Sequence, residues 1–201
     1  MKTLRDIIGI SHEPSALSES ALVLIDCQNT YREGVLKLDN VEPALQQVKK
    51  LLELAREHGV PVFHIQHDGG KGSPYDLNSR LGAIADEVAP IDGEYVIVKS
   101  FPNAFIQTSL DEALRKRTIE NIILAGFMTH MCVNSTAHGG FNRGYNVTIV
   151  ADATATRPLC LNNGKQLSAE QVQEVTIAAT RDLYAAIVDT VDDLAIEARP
   201  D

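Results

Sequence analysis

Cysteine is scarce in this chain of 201 residues: Cys27, Cys132 and Cys160 are the whole supply. An odd, sparse set without Cys-x-x-Cys spacing excludes a disulfide framework and a zinc-ribbon site, and it fits a reducing compartment. Basic clusters are scarce as well. Lys and Arg number 18 against 27 Asp and Glu, a formal net charge of −9. The short pairings Lys49-Lys50 and Arg115-Lys116-Arg117 read as solvated helix faces. Phosphate binding requires a concentrated basic footprint, so the composition argues against a nucleic-acid partner or an anionic-membrane surface. Long apolar runs are missing too. None approaches membrane-spanning length, and MKTLRDIIGISHEPSAL at the start holds no apolar core of signal-peptide length. The expectation is a cytoplasmic protein.

What is present is an alternation of short apolar runs with amphipathic stretches, the pattern of a parallel α/β sheet. The unbroken run Ala21 to Ile25, ending at Asp26, suits a strand covered on both faces. A helix is predicted from Val41 to His58, with Leu45, Val48, Leu52 and Ala55 on one face and Gly59 as its stop. Strands follow at Val60 to Ile65 and at Tyr95 to Val98, the latter ending at Lys99. Ser109 and Glu112 form a capping-box pattern for a helix to Arg117. Asn121 to Ala125 is a strand, Gly126 starts a sharp turn, and a helix runs from about Cys132 to Arg143. Val147 to Val150 makes another strand. Ser168 and Gln171 cap a helix to Tyr184, and Ala186 to Val188 closes the sheet. His67 to Leu81 and Ala153 to Leu167 are the long irregular stretches, a length often functional. The sum is one domain over 1–201: a three-layer α-β-α fold with a mostly parallel sheet of about six strands.

Ligands of such sheets bind beyond the carboxyl ends of the strands. Asp26, Lys99 and the Gly126–Cys132 turn all fall at such ends. Taken alone, Cys132 has an ordinary reading as a buried structural thiol. Its place at the start of a helix after a strand gives a second reading, in which the free N–H groups and the dipole favour a thiolate and an oxyanion.

Three stretches then resemble one family. Leu24-Ile25-Asp26-Cys27-Gln28-Asn29, Val98-Lys99-Ser100-Phe101-Pro102-Asn103-Ala104-Phe105 and Gly126-Phe127-Met128-Thr129-His130-Met131-Cys132-Val133 are similar to the signatures of the isochorismatase-like hydrolases. These include nicotinamidases, N-carbamoylsarcosine amidase and related cysteine amidohydrolases. The resemblance extends from about Ser20 to Ala195. It implies a catalytic triad of Asp26, Lys99 and Cys132. It further implies a cis peptide between Phe127 and Met128, with the Met128 and Cys132 N–H groups as the oxyanion hole. The reaction implied is hydrolysis of an amide, imide or lactam C–N bond through a thioester. The alternatives are isochorismatase-type vinyl-ether hydrolysis, with Asp26 as acid–base and Cys132 incidental, and a non-catalytic binding domain of the same fold.

The metal-dependent relatives carry an Asp-x-His pair after the second strand. Here those positions hold His67 and Gly69, and His64 and His67 face opposite sides of a strand, so neither a metal nor any other cofactor is expected. Gln28, Tyr31, His67, Phe101, Asn103, Phe105 and His130 are pocket candidates for a small-molecule substrate. Gln28 has a second reading as a fixer of the turn, and Asn103 as a helix cap. Tyr31 and Phe105 have a second reading as packing. Cys27 reads as inert core, Asp152 and Arg157 as structural residues framing a loop. The resemblance also implies a homo-oligomer, dimer or tetramer; a light-scattering mass equal to the monomer would overturn that.

Overall fold

In the computed structural model, which describes residues 1–198, the apolar run before Asp26 becomes β1 (Ser20–Ile25), every residue of it buried. Residues 199–201 of the expected domain span lie outside the described residues. Burial on both faces is possible because β1 pairs in parallel with a strand on each side, β2 (Val62–His67) and β4 (Asn121–Phe127). β3 (Tyr95–Lys99) lies beyond β2, and β5 (Asn146–Ala155) lies beyond β4. A short antiparallel pair, β6 (Leu159–Cys160) and β7 (Gln166–Leu167), stands apart, and β8 (Ala186–Val188) completes the main sheet in the order β3-β2-β1-β4-β5-β8. All five pairings of that sheet are parallel.

The short α1 (Leu4–Ile8) opens on a capping box at Thr3 and Asp6. One face of the sheet is covered by α2 (Val41–Glu57), which buries Val41, Ala44, Leu45, Val48, Leu51, Leu52 and Ala55, a helical-period stripe. Its chain reverses at Gly59, φ 66°, as the sequence foretells. α3 (Leu110–Lys116), α4 (Asn134–Phe141) and α5 (Ala169–Leu183) lie on the other face, where Leu110, Leu114, Ala137 and Ile177 join Val23, Ile25 and Leu124.

Several expected boundaries shift for identifiable reasons. The second strand starts at Val62, because the Val60 N–H still closes the helix end on Ala55 O (2.8 Å) and Pro61 has no N–H to give. The capping box at Ser168 and Gln171 forms, but the one at Ser109 does not; the Leu110 N–H goes to Thr108 Oγ1 instead (3.3 Å). The stretch from Ala153 is not all irregular, since β5 continues to Ala155 past a register shift opposite Leu124 and Gly126. Finally, no α-helix starts at Cys132. The thiol sits in a five-residue π-helical turn, Thr129–Val133, that precedes α4.

Candidate active site

The chain runs outward from β1 to β3 and returns to β4, so the switch point lies between β1 and β4, where α/β sheets hold ligands. Asp26 leaves β1 in the left-handed region, φ 48°, fully buried. Gly126 makes the neighbouring approach possible. Its φ is 111°, and a Cβ there would stand 2.1 Å from Ile25 O. Past it the Phe127–Met128 peptide is cis, and the π turn swings Cys132 back over the end of β1.

Lys99 arrives from the far side. It pairs in register with His67 of β2 and sends its side chain, 2 % exposed, beneath that residue. Its Nζ donates to Asp26 Oδ2 at 2.7 Å and to His67 Nδ1 at 2.9 Å, and it lies 3.4 Å from Cys132 Sγ. Asp26 Oδ1 is buried and has no partner among the described residues. An Asp26 oxygen, a His67 nitrogen and the Cys132 sulfur lie within 4.8 Å of one another, a spacing a metal could use. The Lys99 ammonium already stands among them.

Electrostatics correct one expectation. Burial first, and then the Asp26 charge, push the Cys132 thiol up to about 12 against the pull of Lys99. The resting sulfur is therefore a neutral thiol, not a thiolate. Cys132 lies in the first turn of the helical run that the π turn and α4 make together, and the field there does not outweigh burial and Asp26. Asp26 is also raised, by burial, with Lys99 opposing. The His67 ring is lowered to about 4 by burial and by Lys99, which keeps it neutral with its Nδ1 lone pair toward the ammonium.

The other candidates divide. Gln28 is a clasp rather than a pocket wall. Fully buried, it accepts the His67 N–H at 2.9 Å and donates to His67 O at 3.0 Å and Gly82 O at 2.7 Å. Tyr31 is packed edge-on against Phe127, its hydroxyl 3.1 Å from that of Tyr75. Asn103 takes the Phe105 N–H (2.9 Å) through its Oδ1, and Phe105 stacks on Tyr145 in the core and faces no ligand. Phe101, two residues past Lys99, is exposed. His130 is half-buried, bonded through Nδ1 to Thr156 Oγ1. Cys27 is buried and held above its ordinary range by burial and by Asp26, as an inert core thiol should be. Tyr75, in the long 67–81 stretch that the sequence marks by its length without singling out this residue, packs on His67 with ring centroids 4.7 Å apart. The loop has no periodicity that would single out one of its side chains.

A separate surface cleft of about 560 Å³ is lined by Asp39, Asp152, Thr156, Glu170 and Gln173, among others, with no nucleophilic cysteine or lysine.

Residues 20–190 match the Isochorismatase domain family. The chain belongs to the isochorismatase family. Its architecture matches an isochorismatase from Pseudomonas putida KT2440 with a TM-score of 0.92 at 34% identity, covering 96% of this chain and 98% of that one. A secreted isochorismatase effector of Verticillium dahliae is 33% identical over 96% of this chain and 99% of its own. A ureidoacrylate amidohydrolase of Stutzerimonas stutzeri is 32% identical over 71% of this chain and 73% of its own. This isochorismatase-family hydrolase thus shares its fold across nearly its whole length with its relatives, and no helix among its described residues is long and apolar enough to cross a membrane.

Proposed function

We propose that the protein is a metal-independent cysteine hydrolase of small amides, with Cys132 as nucleophile, Asp26 as base and Lys99 as the cation that keeps Asp26 ionised. The observation that carries this reading is the buried Lys99 Nζ, 2.7 Å from Asp26 and 3.4 Å from Cys132, beside an Asp26 oxygen with no other donor to receive. A buried ion pair against a thiol does nothing for packing, since removing charge from the interior is commonly neutral or stabilising.

The chemistry follows from the resting charges. The thiol is neutral, so attack requires a base at that moment, and Asp26 Oδ1 is the free acceptor. As its proton passes to Asp26, Sγ bonds to the amide carbon and the carbonyl π pair moves onto oxygen. The Met128 N–H, which meets no acceptor among the described residues, and the Cys132 N–H receive that oxyanion. Collapse breaks the C–N bond, and the amine leaves with the proton held by Asp26. Asp26, ionised again, then deprotonates a water that attacks the thioester, and the acid and the Cys132 thiol are regenerated. The Lys99 ammonium standing among Asp26, His67 and Cys132 supports a reaction without metal, as does the presence of His67 and Gly69 where metal-dependent relatives carry Asp and His. The unpaired cysteines support a reducing, cytoplasmic setting.

An amine-release screen over small amides, ureas and lactams tests this reading. The wild type should release amine and leave a substrate-derived mass on Cys132, while Cys132→Ala should show neither. Undiminished amine release by Cys132→Ala would sink the nucleophile claim; no amine from any probe, with Asp26-dependent cleavage of a vinyl ether by Cys132→Ala, would favour the vinyl-ether reading.

A further inference from the structure

An ammonium has three hydrogens to give, and Lys99 Nζ has three neighbours to receive them: Asp26 Oδ2 at 2.7 Å, His67 Nδ1 at 2.9 Å and Cys132 Sγ at 3.4 Å. Asp26 and Cys132 are reacting groups of the proposed mechanism, whereas His67 has no part in it. Yet a His67 nitrogen lies within 4.8 Å of both the Asp26 carboxylate and the sulfur. A Cys–His spacing that close admits a rival assignment, in which the imidazole is the base that takes the thiol proton. The lone pair decides between them. A neutral imidazole has one bare nitrogen and one N–H, and an ammonium can donate only to the bare one. Nδ1 is therefore bare and engaged by Lys99, and the hydrogen is on Nε2. A ring in that state has no lone pair left for the thiol proton. Burial and the Lys99 charge, which lower the ring to about 4, agree with it.

The ring is fixed both along its backbone and across its face. Gln28 holds the N–H and the carbonyl of His67, and β2 sets His67 opposite Lys99 in register. Tyr75 packs on the ring with centroids 4.7 Å apart, and its hydroxyl is 3.1 Å from that of Tyr31. Tyr31 in turn meets Phe127, at the end of β4, with centroids 5.9 Å apart. A chain of contacts thus runs from the strand that leads to Cys132 round to the ammonium. A lysine side chain has much rotamer freedom to lose, and one ion pair alone leaves it free to pivot about that bond. A second acceptor removes the pivot. The neutrality of that acceptor matters as much. A carboxylate in its place would share the cation with Asp26 and weaken the field that favours the ionised carboxylate. Imidazole accepts the hydrogen bond and leaves the charge undivided.

We propose that His67 is a positioning residue: a neutral acceptor, its hydrogen on Nε2, that aims the Lys99 ammonium between Asp26 and Cys132 and takes no proton itself. Its effect on turnover rests on the hydrolase reading above, whereas the state of the ring and of the ammonium does not.

Proton–nitrogen NMR of the isotope-labelled protein at neutral pH tests the resting state. The His67 signals are identified by their loss in His67→Asn, and the Lys99 ammonium by its loss in Lys99→Met. The wild type should show a neutral ring protonated at Nε2 and an ammonium slow to exchange with water. That ammonium signal should vanish in His67→Leu, which has no acceptor, and persist in His67→Asn, whose carbonyl can replace Nδ1. A hydrogen on Nδ1, an imidazolium, or an ammonium indifferent to His67→Leu overturns the proposal, and the wild-type ring decides even if His67→Leu fails to fold. Kinetics test the consequence, with the amide turned over fastest in the amine-release screen. His67→Leu should lower kcat by about tenfold to a hundredfold at near-constant KM, the range for misplacing a group by about 1 Å. It should also move the acid limb of kcat/KM to higher pH, and His67→Asn should recover both. An unmoved limb in His67→Leu, with amine release still dependent on Cys132, overturns the proposal and leaves the hydrolase reading intact. Equal losses in His67→Leu and His67→Asn would make the imidazole the base and overturn it too. If the wild type releases no amine, the hydrolase reading falls and the NMR result alone decides the proposal.

Discussion

Burial dominates the shifts of Cys132, Asp26 and His67, raising the two acids and lowering the base. A thiol raised to about 12 is not a spontaneous nucleophile. Iodoacetamide at neutral pH should therefore alkylate the exposed Cys160 first, with Cys132 and Cys27 lagging, as peptide mass mapping would show. The proposed mechanism needs Asp26 ionised, and burial holds its folded pKa above the ordinary 3.8. The kcat/KM profile should accordingly lose its acid limb as pH falls through a value higher than that of a solvated aspartate; a flat profile down to 3.8 would contradict Asp26 as base. His67 has the reverse sign. With its folded pKa lowered to about 4 from 6.5, the unfolded chain binds a proton in that window that the folded one refuses. Its contribution to stability is complete above 6.5 and declines as pH falls toward 4. Urea midpoints measured across this window should fall less steeply for His67→Leu than for the wild type.

At the scale of elements, the strand ends were legible because apolar runs and the residues that terminate them are local features. Asp26, Lys99 and Cys132 could be placed at one edge of the sheet before any coordinates. Gln28, Asn103 and Phe105 could not be sorted, because what decides their roles is distant: carbonyls of His67 and Gly82 for Gln28, the Tyr145 ring for Phe105. The π turn was also hidden, since its residues carry no period different from that of an α-helix start. Two substitutions probe these joints. Gly126→Ala meets both a φ of 111° and a backbone oxygen at 2.1 Å, and should destabilise by about 3 kcal/mol or more in chemical denaturation. Gln28→Leu strands the half-buried N–H and carbonyl of His67, while Gly82 O keeps its bond from Gln66 Nε2, and should cost about 2–4 kcal/mol while displacing His67.

Over the whole molecule, the ends of the described chain are fastened to each other. Leu17 and Ser18 donate to Ala195 and Ile196 at 2.9 Å each, and Val191 and Leu194 are buried beside them. Truncation after Val188 should lower stability by about 3–6 kcal/mol through those two side chains alone, an upper figure for area removed from the core. A differential-scanning trace would show it as a fall in Tm.

Lys99 comes from β3, one of the two edge strands of the sheet, whereas Asp26 and Cys132 follow its two central ones. Edge strands open more readily than central strands, by local excursions that leave the rest of the fold intact. Each such opening would withdraw the ammonium and leave Asp26 to take up a proton. The fraction of molecules competent for turnover would then follow hydrogen exchange at Tyr95–Lys99 rather than global unfolding, and heat or mild denaturant should silence the enzyme before it melts.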